Sequence, residues 1–130
     1  MMTQSHVTDW IPIDQSRTEA YAALTGDMNP IHLDPDFAAT TPMGRPIAHG
    51  TLSLARALSE LRRLVGETAF LAGRTEVRFL KPIFVGTAVR VVLEPDATGG
   101  LRLTVEREDG EAAIAGTFTP GKSDSEKDWP

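Results

Sequence analysis

The sequence predicts an α+β protein: a single domain in which an antiparallel sheet wraps around one long central helix. Three observations point there. The run "IAHGTLSLARALSELRRLVG", Ile47 to Gly66, is the longest stretch of helix-forming composition in the chain. Beyond it the apolar period changes from helical to two, in four successive runs. Gly99-Gly100 and Asp109-Gly110, dipeptides suited to tight hairpins, separate the last three of those runs.

Taken in order, Ile11 and Ile13 beside Trp10 and around Pro12 suggest a short edge strand, since proline is tolerated at an edge and not in a central ladder. Ser16 with Glu19 forms a capping-box pattern, and "RTEAYAAL" carries a first helix on to a stop at Gly26. Asp34 before Pro35 reads as an N-cap with proline at the first helical position, opening a short helix through "DFAAT". Gly44 to Pro46 breaks the chain again. The long helix is apolar or small on nearly every side in its first half, with charges at Arg56, Glu60, Arg62 and Arg63. It is therefore expected to enter the core with its N-terminal half and leave it with the other, ending at Gly66.

The strand runs place Thr75, Val77 and Phe79 on one face, then Val89, Val91 and Leu93, then Leu101, Leu103 and Val105, then Ala112, Ile114 and Phe118. The domain is expected over residues 1–120. The polar tail 121–130 is expected to be disordered, with Trp129 the one residue able to anchor it.

Composition narrows the function. A chain of 130 residues with 41% hydrophobic and 24% charged residues suits one compact core. A net charge of -5 argues against non-specific binding to nucleic acid or an anionic membrane. With no cysteine there is no disulfide, thiolate metal site or cysteine nucleophile. The start "MMTQSHVTDW" lacks a basic segment followed by an apolar one, and no apolar run approaches a membrane span, so the protein is expected in the cytoplasm. His6, His32 and His49 show no metal-ligand spacing and no glycine-rich phosphate loop is present, so neither a metal nor a cofactor is expected.

The chemically dense stretch is "GDMNPIHLDP", Gly26 to Pro35. Gly26 permits a positive φ, Pro30 stiffens the segment, and the Asn29 amide is suited to local hydrogen bonds. Taken singly, Asp27 could cap a turn and His32 could be a satisfied loop histidine. As a pair, a carboxylate and an imidazole differ enough in intrinsic pKa for one to accept a proton while the other donates.

In its wider setting, "YAALTGDMNPIHLDPDFAA" resembles the hydratase signature of the MaoC-like and R-specific enoyl-CoA hydratases, with further matches at "RPIAHG" and "RFLKPIFVGT". The resemblance covers residues 10 to 119 and implies a hot-dog fold, a homodimer of paired sheets or a higher homo-oligomer, and acyl-CoA or acyl-carrier-protein thioesters as partners. It implies reversible syn addition of water to a trans-2-enoyl thioester, giving the (R)-3-hydroxyacyl product in fatty acid metabolism; coenzyme A is then part of the substrate. Two alternatives stay open: a hot-dog acyl-CoA thioesterase, and a non-catalytic thioester-binding subunit of a heteromeric dehydratase.

Hydration needs a water deprotonated at Cβ, a proton delivered to Cα, and an enolate-like oxygen stabilised. The resemblance assigns the first two jointly to Asp27 and His32, without deciding which is base and which is acid. It assigns the third to Gly50, where a helix start presents unpaired N–H groups and the missing side chain admits a thioester carbonyl. Asn29, His49, Arg78 and Lys81 complete the expected substrate-binding set, although His49 reads more readily as a structural histidine whose ring bonds to backbone. Arg45 and Arg74 are further candidates for the phosphates of coenzyme A. Asp34 is assigned to capping. Ser53 either lines the pocket or bonds its own backbone. Some of these hydratases carry an accessory serine where this chain has Leu58, so that role is not transferred to the adjacent Ser59.

Overall fold

The structure, a computed structural model, describes residues 4–121; the tail from 122 on, Trp129 included, lies outside the described residues. Two short strands, β1 (His6–Val7) and β2 (Ile11–Ile13), lead into α1 (Gln15–Thr25). The one-turn helices α2 (Pro30–Leu33) and α3 (Pro35–Ala39) follow, then the long helix α4 (Gly50–Val65) and the short α5 (Glu67–Ala72). The chain ends in β3 (Arg74–Phe79), β4 (Thr87–Pro95), β5 (Leu101–Arg107) and β6 (Ala112–Thr119). All strands join one antiparallel sheet, ordered β1-β4-β5-β6-β3, with β2 also paired to β4. Pro12 pairs with Ala88 in an edge strand, as its missing N–H requires.

Strand alternation follows from the period-two runs. Val89, Val91 and Leu93 of β4 and Leu101, Leu103 and Val105 of β5 all face a fully buried core with Phe118 of β6. α4 packs on β4 and β5, with Ala57 and Leu61 inside the same cluster. Its buried stripe of Ser53, Ala57, Glu60 and Leu61 runs along most of the helix. That corrects the expectation of a helix leaving the core halfway. Glu60 stays buried because its carboxylate faces His6, Arg56 and Arg63, so the charge is compensated rather than expelled.

Two further departures are local. α1 is capped by Asp14, whose carboxylate accepts from the Arg17 amide, and not by Ser16; the capping-box pattern was displaced by a stronger cap two residues earlier. β6 contains a bulge: Val105 pairs with Ile114 and Glu106 with Ala112, leaving Ala113 as the extra residue. Ala113 and Ile114 are therefore both buried, where strict alternation places only Ile114 inside. The bulged Ala113 carbonyl accepts from the amides of both Leu80 and Lys81, at 2.7 and 3.2 Å, and so fixes the chain leaving β3. That segment forms one wall of the site.

Candidate functional site

The stretch from Gly26 to Pro35 contains its own helical turn. Gly26 closes α1 in the left-handed region at φ 78°, with its N–H on the Ala22 carbonyl. Asn29 then caps α2, its side-chain oxygen accepting from Ile31 N, and Pro30 occupies the first turn. Asp34 caps α3 by accepting from Asp36 and Phe37, as expected. His32 is thus carried on a helix between two proline-opened caps, which holds its ring on the same side as Asp27. Asp27 Oδ2 lies 3.8 Å from His32 Nε2.

The α4 N-terminus meets this pair. His49, its N-cap residue, stacks on His32 with ring centroids 3.8 Å apart and planes at 29°, and Tyr21 approaches it edge-on at 5.1 Å. The Tyr21 hydroxyl donates to Thr51 Oγ1 at 2.7 Å, tying α1 to the first turn of α4. Each imidazole is held by a main-chain carbonyl. His32 Nδ1 donates to Ile47 O at 2.6 Å and His49 Nε2 to Asp27 O at 2.9 Å. In His32 the proton is therefore on Nδ1, leaving Nε2 free toward Asp27; in His49 it is on Nε2.

Asp27, His32, His49, Gly50 and Thr51 form the polar end of a cavity of about 510 Å³. Its apolar wall comes from Met43, Ile47, Phe79, Leu80, Ile83 and Ile114. The Phe79 ring lies over Gly50: a Cβ built there would come within 2.9 Å of Phe79 Cδ1 and Cε1. Bare backbone at residue 50 is what lets an aromatic wall and a helix N-terminus share one opening.

The structure therefore brings together Asp27, His32, His49, Gly50 and Lys81 of the expected set. Asn29 lies outside the cavity lining and spends its side chain on a cap. Arg78 lines a different surface depression, with Glu76 and Arg102, because adjacent strand residues face opposite sides of the sheet. Arg45 lies on the Phe84 ring at 4.2 Å and Arg74 pairs with Glu76, so the candidate phosphate-binding cations do not form one patch. Ser53 is 1% exposed, does not line the cavity, and its hydroxyl makes no bond to its own backbone or to any described group, so neither expectation for it holds. Sequence reasoning missed Thr51, Phe79 and Ile114. Only the lone tyrosine ahead of the Gly-Asp pair hinted at Tyr21, and the period-two run that places Ile114 on the inner face does not show that it also lines the cavity.

The clustering also brings three possible metal ligands, Asp27, His32 and His49, within 4.8 Å of one another, which histidine spacing along the chain did not suggest. His49 Nε2 donates to the Asp27 carbonyl and His32 Nδ1 to the Ile47 carbonyl, so of these ring nitrogens His32 Nε2 is the one left with a free lone pair toward Asp27.

Comparison with known proteins agrees with this architecture. The family model described as MaoC like domain matches residues 2–115. The chain is 42% identical over 106 residues to an (R)-specific enoyl-CoA hydratase of Aeromonas caviae, a match covering 78% of this chain and 72% of that protein. It is 39% identical over 87 residues to the 3-hydroxyacyl-thioester dehydratase Z of Mycobacterium tuberculosis, 64% of this chain but only 58% of that longer protein. The solved (R)-hydratase from A. caviae involved in PHA biosynthesis superposes with a TM-score of 0.75 at 30% identity, over 88% of this chain and 91% of that one. The fold is the hot-dog fold of these neighbours, and the chain belongs to the MaoC-like dehydratase family.

Proposed function

We propose that the protein is an (R)-specific hydro-lyase that interconverts trans-2-enoyl thioesters and (R)-3-hydroxyacyl thioesters. The observation that carries this reading is the Asp27–His32 approach of 3.8 Å at the polar end of an otherwise apolar cavity. The names of its relatives support it, because they describe hydration or dehydration of such thioesters.

In hydration, a water held between Asp27 Oδ2 and His32 Nε2 loses a proton to the pair as its oxygen bonds Cβ. The π electrons shift to the thioester carbonyl, and the pair returns a proton to Cα. The carboxylate and imidazole share these two transfers, so the site ends in the protonation state in which it began. The enolate oxygen is stabilised by the first N–H groups of α4 at Gly50, which have no intrahelical acceptor and lie at the positive end of the helix dipole. Apolar walls keep other water from the intermediate. This chemistry calls for no metal or cofactor beyond the thioester.

The proposal extends to coenzyme A as the carrier, with Lys81, which lines the cavity and lies 3.5 Å from Glu111, as the cation offered to its phosphates. It extends also to a homodimer, supported by the outer edge of β3, which no other strand covers among the described residues, and to the cytoplasm, where acyl-CoA substrates are found. Among the described residues no helix is long and apolar enough to cross a membrane. Neither the thioesterase nor the non-catalytic alternative has an observation in its favour. The test is loss of enoyl thioester absorbance on mixing the protein with crotonyl-CoA and longer trans-2-enoyl-CoAs. Turnover with an (R)-3-hydroxyacyl product is expected; thiol release from saturated acyl-CoA without hydration would overturn the reading.

A further inference from the structure

We infer that His49 is a positioning residue of the site: it sets the aim of the Asp27 carboxylate by donating its Nε2 proton to the Asp27 carbonyl. The inference rests on the proposed hydratase reading.

Four observations carry it. His49 occupies the N-cap position of α4, where Ser, Thr, Asn or Asp would satisfy the open N–H groups, yet its ring makes no capping bond. The helix forgoes that stabilisation, and the ring instead reaches back 22 residues to Asp27 O at 2.9 Å. The ring is 3% exposed and is held on both sides, by the His32 face and the Tyr21 edge, so its orientation is fixed. Its Nδ1 has no partner among the described residues, so the Nε2 bond is the one hydrogen bond the buried ring makes there.

The bond matters because Asp27 is otherwise loosely held. Its carboxylate is half exposed, and its Oδ1 accepts only a 3.3 Å bond from the Asn29 amide. Fixing the Asp27 carbonyl fixes the peptide unit from which the side chain projects, next to His32. His49 Nε2 is itself 3.9 Å from Asp27 Oδ2, so backbone and side chain of Asp27 are referenced to one atom.

Two substitutions separate positioning from packing. In His49→Gln the amide nitrogen falls near the place of Nε2 and can still donate to Asp27 O. In His49→Asn it falls near the place of Nδ1, cannot reach that carbonyl, and can cap α4 instead. The expected result is that His49→Asn unfolds at a temperature no lower than His49→Gln but loses about 100-fold in kcat, the scale of a misplacement near 1 Å, with KM little changed. His49→Gln should retain kcat within about tenfold of the wild type. Equal losses in the two variants, no loss in either, or a change confined to KM would each overturn the inference. Nitrogen-15 spectra of the wild-type histidine rings give a readout independent of turnover: His49 should carry its proton on Nε2 and His32 on Nδ1. A His49 proton on Nδ1 sinks the inference even if the enzyme is active. An inactive wild type with the expected ring protonation removes the hydratase reading and leaves the bond itself intact.

Discussion

Asp27 Oδ2 and His32 Nε2 lie 3.8 Å apart although neither helical nor strand spacing would pair them; one helical turn opened by Pro30 and capped by Asn29 closes the distance. Both groups project from a surface segment that adds nothing to the central cluster. Asp27→Asn and His32→Ala are therefore expected to lower kcat by roughly 10² to 10⁴, the range for loss of a positioned acid or base. Unfolding temperature should barely move in Asp27→Asn, whose carboxylate is half exposed. Steady-state hydration of crotonyl-CoA with parallel thermal melts checks both, and near wild-type turnover in the two variants would remove them from the mechanism.

Gly50 and Phe79 give a second prediction. A methyl at residue 50 meets the Phe79 ring at 2.9 Å, so Gly50→Ala should drive the ring across the cavity mouth and cut kcat/KM by about tenfold or more. If the clash is the cause, Gly50→Ala in a Phe79→Ala background should cost much less than in the wild type. An equal cost in both backgrounds would place the damage at the N–H groups of α4 instead. A double-mutant cycle on kcat/KM separates the two.

Much of the architecture was legible because local signals and global packing agree. Period-two apolar runs gave the four long strands, and Gly99-Gly100 and Asp109-Gly110 marked their hairpins. Asp34-Pro35 announced a cap that forms as read. The site was legible where it is local, in the residues around Asp27 and His32. What stayed hidden depends on distance in the chain. No feature near Glu60 shows that His6 reaches it to anchor β1, and helix periodicity misjudged its burial because an ion-paired carboxylate counts as polar in any pattern. Nothing around Ala113 signals the bulge that buries it beside Ile114, and nothing near β3 signals that Arg78 faces away from the site while Lys81 lines it.

Glu60 supplies a pH prediction. Hydrogen bonds from Arg63, outweighing the opposing effect of burial and aided by Arg56 and His6, lower its pKa from 4.5 to about 2. A carboxyl depressed in the folded state adds stability that is complete above its unfolded value of about 4.5 and is lost as pH falls through about 2. Allowing for solvent around the exposed guanidinium groups, the contribution is about 2 kcal/mol at neutral pH. Urea unfolding should show wild-type stability declining between pH 4.5 and 2. In Glu60→Gln stability at pH 7 should be lower and that decline shallower; an unchanged slope would show that Glu60 is not the titrating group.

Gly116 of β6 faces Val77 of β3, and a Cβ there would run into the Glu76 carbonyl oxygen. Backbone cannot step aside as a side chain can. Gly116→Ala should therefore destabilise the fold by about 1–3 kcal/mol and protect β3 amides less against hydrogen exchange, because β3 pairs with no other strand among the described residues. Uniform loss of protection across β4, β5 and β6, with β3 unaffected, would contradict it.

The acceptor that holds the His32 ring is the main-chain oxygen of Ile47, whose side chain meanwhile lines the cavity. A carbonyl is the same whatever residue carries it. Residue 47 can thus be exchanged among apolar types to suit acyl groups of different bulk without altering which imidazole nitrogen is left to move protons. Substrate preference and proton chemistry sit on one residue and can still diverge independently, which makes residue 47 a natural first choice for redesigning selectivity.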